Sequence, residues 1–220
     1  MTKIRIFTIQ FDIPLKFNLI SKWRGAIAEH VGLEDERFHN HQGAKERFHY
    51  RYPTVCYRSK QGKAAIWSFG EGTEALKELL LNSTGVLTMD DSPYELKVYH
   101  FDIYEFQLRM GDDMQNYRLH NWLALNEYNI KQWDHLTNDE ERKKMLGQIL
   151  ASNIIAFAKA VTWQLPQRLE VEVSDIARLH RTKHKGIQML CFDIEFTANI
   201  FLPRGLGLGK SVSHGYGVLS

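Results

Sequence analysis

The stretch Lys3-Ile4-Arg5-Ile6-Phe7-Thr8-Ile9-Gln10-Phe11-Asp12 alternates apolar and polar residues, the period of a half-buried strand. The alternation slips phase at Phe7, which predicts a bulge, and Pro14 ends it. Downstream, Leu19, Ile20, Trp23, Ile27 and Val31 recur at helical spacing, with Asn18 as the expected N-cap. Thr54–Tyr57 and Ala64–Phe69 read as two short strands, and the polar Arg58–Lys63 between them as a hairpin turn. After Gly70-Glu71-Gly72, Thr73 is expected to cap a helix whose apolar face is Ala75, Leu76, Leu79 and Leu80. A strand-rich stretch from Tyr94 to Leu108 closes the series. The order β-α-β-β-α-β is ferredoxin-like.

The second part varies the theme. Asn138-Asp139 starts a long helix with Met145, Leu146, Ile149, Leu150, Ile154, Phe157 and Val161 on one face. Residues 168–176 and 187–197 are strand-like around a basic turn, and Gly215–Leu219 forms a short closing strand. Trp122–Trp133 reads as an extra helix or loop, its aromatics as core rather than base-stacking platforms. The boundary is placed around Asp90-Asp91-Ser92-Pro93, giving domains 1–92 and 93–220. The expectation is an α+β chain of two tandem ferredoxin-like domains with antiparallel sheets.

Of the 220 residues, 44% are apolar and 25% charged, ordinary values for a globular protein with a core. The formal net charge of +2 does not identify a polyanion partner, so only local clustering could. Cys56 and Cys191 each sit in an apolar run and read as reduced core thiols. Zinc would need a larger set of Cys and His, so no metal or other cofactor is assigned. No signal segment is visible and no apolar run approaches the ~20 residues of a membrane span. No membrane partner is expected, and the expected compartment is the cytoplasm.

The strongest local signal is Leu202-Pro203-Arg204-Gly205-Leu206-Gly207-Leu208-Gly209-Lys210-Ser211-Val212-Ser213-His214-Gly215-Tyr216-Gly217. Dense glycine permits positive φ and close backbone approach. With Lys210 inside, the loop could present N–H groups and a cation to phosphates, or it could be a tight turn before the last strand. Gly209-Lys210-Ser211 resembles the end of a P-loop, but Arg204 stands where that motif needs glycine and no helix follows. A dinucleotide fingerprint fails on spacing. What matches is glycine–hydrophobic–glycine twice: Gly207-Leu208-Gly209, five residues including Lys210, then Gly215-Tyr216-Gly217. This resembles the C-terminal loop of the CRISPR RNA-processing endoribonucleases, within the repeat-associated RNA-binding (RAMP) superfamily. Asn153–Trp163, Phe196–Pro203, Phe38–His41 with Arg51-Tyr52-Pro53, and Gly62–Ile66 leading to Gly70-Glu71-Gly72 resemble the family's subtype b.

The resemblance implies two ferredoxin-like (RRM/RAMP-type) domains. It implies metal-independent cleavage inside CRISPR repeat RNA that leaves a 2′,3′-cyclic phosphate. Such cleavage needs a base for the 2′-OH, an acid for the leaving 5′-oxygen and a cation for the phosphate. Histidine, with a reference pKa of ~6.5, suits both proton roles. In the polar stretch 34–51, His39 and His41 would share one face if extended, ~6.6 Å apart at ~3.3 Å per residue. The family's catalytic histidine falls in this region, so the carry-over lands on His39 and His41, without deciding which is base and which acid. Lys45, Arg47 or His49 could steady the phosphate, or belong to a solvated basic loop.

Arg178-Leu179-His180-Arg181-Thr182-Lys183-His184-Lys185 has four permanent cations and no carboxylate between Asp175 and Asp193. On a hairpin it would project as a basic finger for an RNA backbone; a solvated turn is the plain alternative. After Glu195 there is no acid, so Arg204 and Lys210 join Arg178, Arg181, Lys183 and Lys185 as expected RNA contacts. The implied partner is CRISPR repeat RNA, with CRISPR effector proteins and a second copy of the chain left open. The competing functions are a non-catalytic RNA-binding subunit of a CRISPR effector and a small-molecule-binding ferredoxin-like protein.

Overall fold

The computed structural model describes every residue except 1, 33–34, 39–51, 83–84 and 185. Two compact units emerge. One is built on Lys3–Gln107 with Ser213–Gly215, the other on Leu108–Val212 and Tyr216–Ser220.

In the first unit the order is β1 (Thr2–Pro14), α1 (Ile20–Val31), β2 (Val55–Lys60), β3 (Lys63–Phe69), α2 (Glu71–Asn82), β4 (Val86–Met89), β5 (Ser92–Glu95) and the start of β6 (Val98–Trp122). The sheet runs β2-β3-β1-β6, the ferredoxin-like arrangement in which the fourth strand lies beside the first. The β4–β5 hairpin, turning at Asp90-Asp91, is an addition outside that sheet.

The expected bulge at Phe7 is absent. Pairing with β3 is continuous from Ile6 opposite Phe69 to Gln10 opposite Ala65, and the irregularity falls between Gln10 and Pro14. The phase slip has another cause. Ile4 and Ile6 are buried on one face of the strand, and Phe7, Ile9, Phe11 and Ile13 on the other. The second set packs with Trp23 and Ile27 of α1, Ile66 of β3 and Leu76 of α2.

Three local expectations change. Asn18 does not cap α1: it sits in a 3-10 turn, Phe17–Leu19, whose Phe17 carbonyl accepts the Ile20 N–H, and Leu19 takes the cap position. The turn between β2 and β3 shrinks to Gln61-Gly62, both at positive φ, as a two-residue hairpin requires. Thr73 lies inside α2, its Oγ1 and N–H both donating to the Gly70 carbonyl.

The second unit comprises the rest of β6, α3 (Glu127–His135), α4 (Asp139–Ala160), β7 (Val171–His184), β8 (Ile187–Phe201) and β9 (Val218–Leu219). Its strand order, β9-β6-β8-β7, repeats the first unit's plan. Between β8 and β9, where the plan has its second helix, the chain carries the glycine-rich segment instead. The strand read as ending at Leu108 continues to Trp122. A register shift between Met110 and Gln115 interrupts its pairing with β8, and the polar Gly111-Asp112-Asp113 there hid it in the sequence. Asn126 caps α3, accepting from the N–H groups of Tyr128 and Asn129, and Asn138 caps α4. Leu146, Leu150, Ile154 and Phe157 form the buried stripe of α4, and Trp122 and Trp133 are core, each edge-on to Phe192. No described helix is long and apolar enough to cross a membrane.

Candidate nucleic-acid interface

In the second unit the basic run is strand rather than turn. Arg178 through His184 pair residue by residue with Asp193 back to Ile187. Alternation therefore sorts the side chains. Leu179, Arg181 and Lys183 share the exposed face. Arg178, His180, Thr182 and His184 share the other, along which burial deepens until His184 is buried. Cross-strand neighbours sort the cations again. Arg178 lies opposite Asp193, whereas Arg181 faces Leu190 and Lys183 faces Gln188. Arg181 and Lys183 thus have no carboxylate directly across from them on β8. Lys185 lies outside the described residues.

The inner face of β7 is tied to the glycine-rich loop. His184 Nε2 is 2.8 Å from Ser211 Oγ, its ring meets Tyr216 edge-on at 5.0 Å, and Thr182 Oγ1 is 3.4 Å from the Tyr216 hydroxyl. Lys210 donates to the Leu125 carbonyl at 2.8 Å, and partial burial holds its ammonium below the usual lysine range. Arg204 is exposed. Sequence reasoning missed the role of His184, Thr182 and Tyr216; the i, i+2, i+4 spacing of His180, Thr182 and His184 was the available signal.

The glycines satisfy packing. Gly217 has φ +61°, and a Cβ there would lie 2.0 Å from the Leu208 carbonyl oxygen. Gly209, at φ +96°, has its open side against the indole of Trp122, 2.5 Å from where a Cβ would stand. That indole N–H donates to Asn153 Oδ1 at 3.1 Å. Gly207 bridges Val218, and Leu208 N–H donates to the Gly217 carbonyl at 2.7 Å, so much of this backbone is spent on β9.

The first unit includes Ser213–Gly215. There Gly215 packs against Ile20, Phe17 and the Tyr57 carbonyl, and Ser213 Oγ is 3.2 Å from His214 Nδ1. His39, His41 and Lys45 lie outside the described residues; their flanks do not. Phe38 is buried, and its carbonyl accepts from the Tyr57 hydroxyl at 3.1 Å. Burial pushes the Tyr57 phenol well above its usual range, so it stays a donor. Arg37 is clamped by Asp35, at 2.7 and 2.8 Å, and by Glu78. Beyond the gap, the Tyr52 ring rests on Phe69 at 5.9 Å, and Gly72 admits the Thr54 carbonyl where a Cβ would stand 2.4 Å away. Both ends of the segment are therefore pinned to the core.

Comparison with known proteins agrees with this architecture. The Cas6b N-terminal domain family matches residues 2–107 and the Cas6b C-terminal domain family residues 109–220. An uncharacterized protein of Methanocaldococcus jannaschii is 33% identical over 99 residues, 44% of this chain, and the match spans 64% of that relative's length. A crystal structure of Cas6b superposes with a TM-score of 0.89 at 24% identity, covering 99% of this chain and 98% of that one. A crystal structure of the CRISPR RNA processing endoribonuclease Cas6b gives 0.75 at 20% identity, with the same coverage. A RAMP protein binding different RNA substrates gives 0.54 at 11%, covering 100% and 99%. The structural likenesses establish the two-domain RAMP fold, and with both family domains matched in order along nearly its whole length, this chain belongs to the Cas6b family.

Proposed function

We propose that this protein is a metal-independent endoribonuclease that cuts CRISPR repeat RNA to guide-length products. The observation that carries the reading is the match of both Cas6b domains across the chain. In this reading His39 and His41 supply the proton transfers. One accepts the 2′-OH proton as the 2′-oxygen attacks phosphorus. The other protonates the 5′-oxygen as the P–O5′ bond breaks. The products are a 2′,3′-cyclic phosphate and a 5′-hydroxyl. Lys45 offsets charge on the phosphate. The exposed cations of β7, with Lys185 and Arg204, hold the RNA backbone without reading bases. Lys210 gives one of its three ammonium donors to the Leu125 carbonyl and can meet a phosphate oxygen with another while that bond holds it in place.

The test is incubation of an end-labelled repeat RNA in EDTA, comparing wild type with the His39→Ala/His41→Ala double variant. One cut by wild type, lost in the double variant, with a 2′,3′-cyclic end by mass spectrometry, is the expected result. Two histidines in these roles also give a bell-shaped dependence of rate on pH. Tight binding with no cut by wild type would instead make the protein an RNA-holding subunit of a CRISPR effector.

A further inference from the structure

Four lysines converge at one corner of the first unit, where β1 ends beside the β2–β3 turn. Lys60 and Lys63 lie directly across from each other in the hairpin, an arrangement that costs stability because like charges oppose. Leu15 N–H donates to the Gly62 carbonyl at 2.7 Å, which brings Lys16 to the turn. Asp12 N–H donates to the Lys97 carbonyl at 2.8 Å, which brings Lys97 alongside. The backbone of the corner is fixed: the buried Gln10 amide donates to the Lys60 carbonyl at 2.8 Å, and the Ser59 hydroxyl to the Leu15 carbonyl at 2.5 Å. Carboxylates are few. Asp12 pairs with Lys63, whose ammonium also sits 4.6 Å over the Tyr99 ring, so Lys63 is already engaged. Glu95 alone lies within two residues in sequence of any of the four. Lys16, Lys60 and Lys97 are exposed and, among the described residues, have no ion-pair partner. Elsewhere in this unit Lys3, Lys22 and Lys77 each meet a carboxylate.

We propose that Lys16, Lys60 and Lys97 form a second RNA-backbone site, on the first unit and separate from β7. The proposal rests on the reading of this chain as an RNA-processing protein, and adds where a further stretch of that RNA is held. Like charges opposed across a fixed hairpin favour an anion that neutralises them, and several separate ammonium groups suit a run of phosphates rather than one. Continuity with the glycine-rich segment favours RNA over an acidic protein. Phe17, next to Lys16, is 36% exposed, and its ring lies 3.4 Å from where a Cβ on Gly215 would stand. Phe17 thus joins the corner to Ser213–Gly215, the part of the glycine-rich segment that belongs to this unit. An exposed ring beside unpaired lysines is also the combination that single-stranded nucleic acid uses, the ring for a base and the cations for its phosphates.

The test measures binding, so its outcome is separate from that of the cleavage assay. A repeat RNA with single-stranded flanks, made with 2′-O-methyl ribose so that no 2′-oxygen can attack, is titrated in EDTA over a range of salt concentrations. The variant is Lys16→Gln/Lys60→Gln/Lys97→Gln, with Arg181→Ala/Lys183→Ala measured beside it. The triple variant is expected to lower the slope of log affinity against log salt by up to about 2, at ~0.7 per lost single-strand contact. Urea unfolding supplies a readout that a structural role would move the other way. Lys60→Gln removes the opposition to Lys63, so its unfolding midpoint is expected to rise while RNA affinity falls. A triple variant with the wild-type slope overturns the proposal, and the β7 pair shows separately whether the RNA reading stands. A triple variant that keeps RNA affinity but loses binding of poly-glutamate overturns it too, and makes the corner a site for an acidic protein. A lowered midpoint for Lys60→Gln overturns it as well, because the lysine would then serve the fold. Wild type that binds the RNA with no salt dependence overturns both this proposal and the RNA-backbone reading of β7.

Discussion

Replacing Gly217 by alanine tests what the glycine-rich loop is for. Its φ of +61° already strains an L-residue, at about 1 kcal/mol. The added Cβ would stand 2.0 Å from the Leu208 carbonyl oxygen, so that peptide must retreat by roughly 1 Å to reach van der Waals contact. Two buried hydrogen bonds ride on the same atoms: Leu208 N–H to the Gly217 carbonyl at 2.7 Å, and Gly217 N–H to the Asn121 carbonyl at 3.0 Å. At about 1 kcal/mol each, with about 1 for the crowding that remains, the total is about 4 kcal/mol. Gly186→Ala is the matched control in the same unit. It has φ +83° and no described atom within 4 Å of a new Cβ, so it carries the strain alone, about 1 kcal/mol. Urea unfolding followed by circular dichroism measures both. If the glycines serve phosphate contact and not packing, Gly217→Ala will match the control in stability while losing RNA affinity, and the packing argument fails.

Three further outcomes follow from the same geometry. Because Arg178 faces Asp193 while Arg181 and Lys183 face none, Arg181→Ala/Lys183→Ala should lower the slope of log affinity against log salt by up to ~0.7–0.9 per lost contact, and Arg178→Ala by less; equal slopes for wild type and the pair would remove β7 from the interface. Tyr57→Phe leaves the buried Phe38 carbonyl without its donor, so unfolding should become easier by about 1–2 kcal/mol, and cleavage should slow more than RNA binding weakens; unchanged stability would show that the bond carries nothing. The Arg37 hydrogen bond holds Glu78 below its usual carboxylate range, so its contribution is present above about pH 4.3 and is lost as pH falls through the lower folded-state value. Glu78→Gln should remove that part of the acid sensitivity, and the stability gap between the two proteins should close on acidification; a constant gap contradicts the pairing.

The first unit was largely legible in the sequence, because alternation along β1 and helical spacing at Trp23, Ile27, Leu76 and Leu79 are local consequences of burial. The double glycine motif was legible too, since Gly209, Gly215 and Gly217 combine positive φ with neighbours so close that a side chain would clash, a demand glycine meets without strain. Positions decided by partners distant in sequence were not. Whether Arg178 or Arg181 is the unopposed cation depends on which β8 residue lies across from it, and periodicity along β7 does not carry that register. The continuation of β6 past Leu108 was hidden by the polar Gly111-Asp112-Asp113, where pairing with β8 is interrupted; Gln115 and Asn116 resume it opposite Ala198 and Thr197, more than eighty residues away. Lys210 looked like a phosphate ligand from its neighbours in sequence; the Leu125 carbonyl that holds it is brought there by the fold. The sequence by itself determined the alternation, the helical stripes and the need for glycine, because each is set by a residue's own conformational and solvation preferences. Only the tertiary structure decided register, facing charge and the partner of each buried polar group, because those depend on which distant strand arrives alongside.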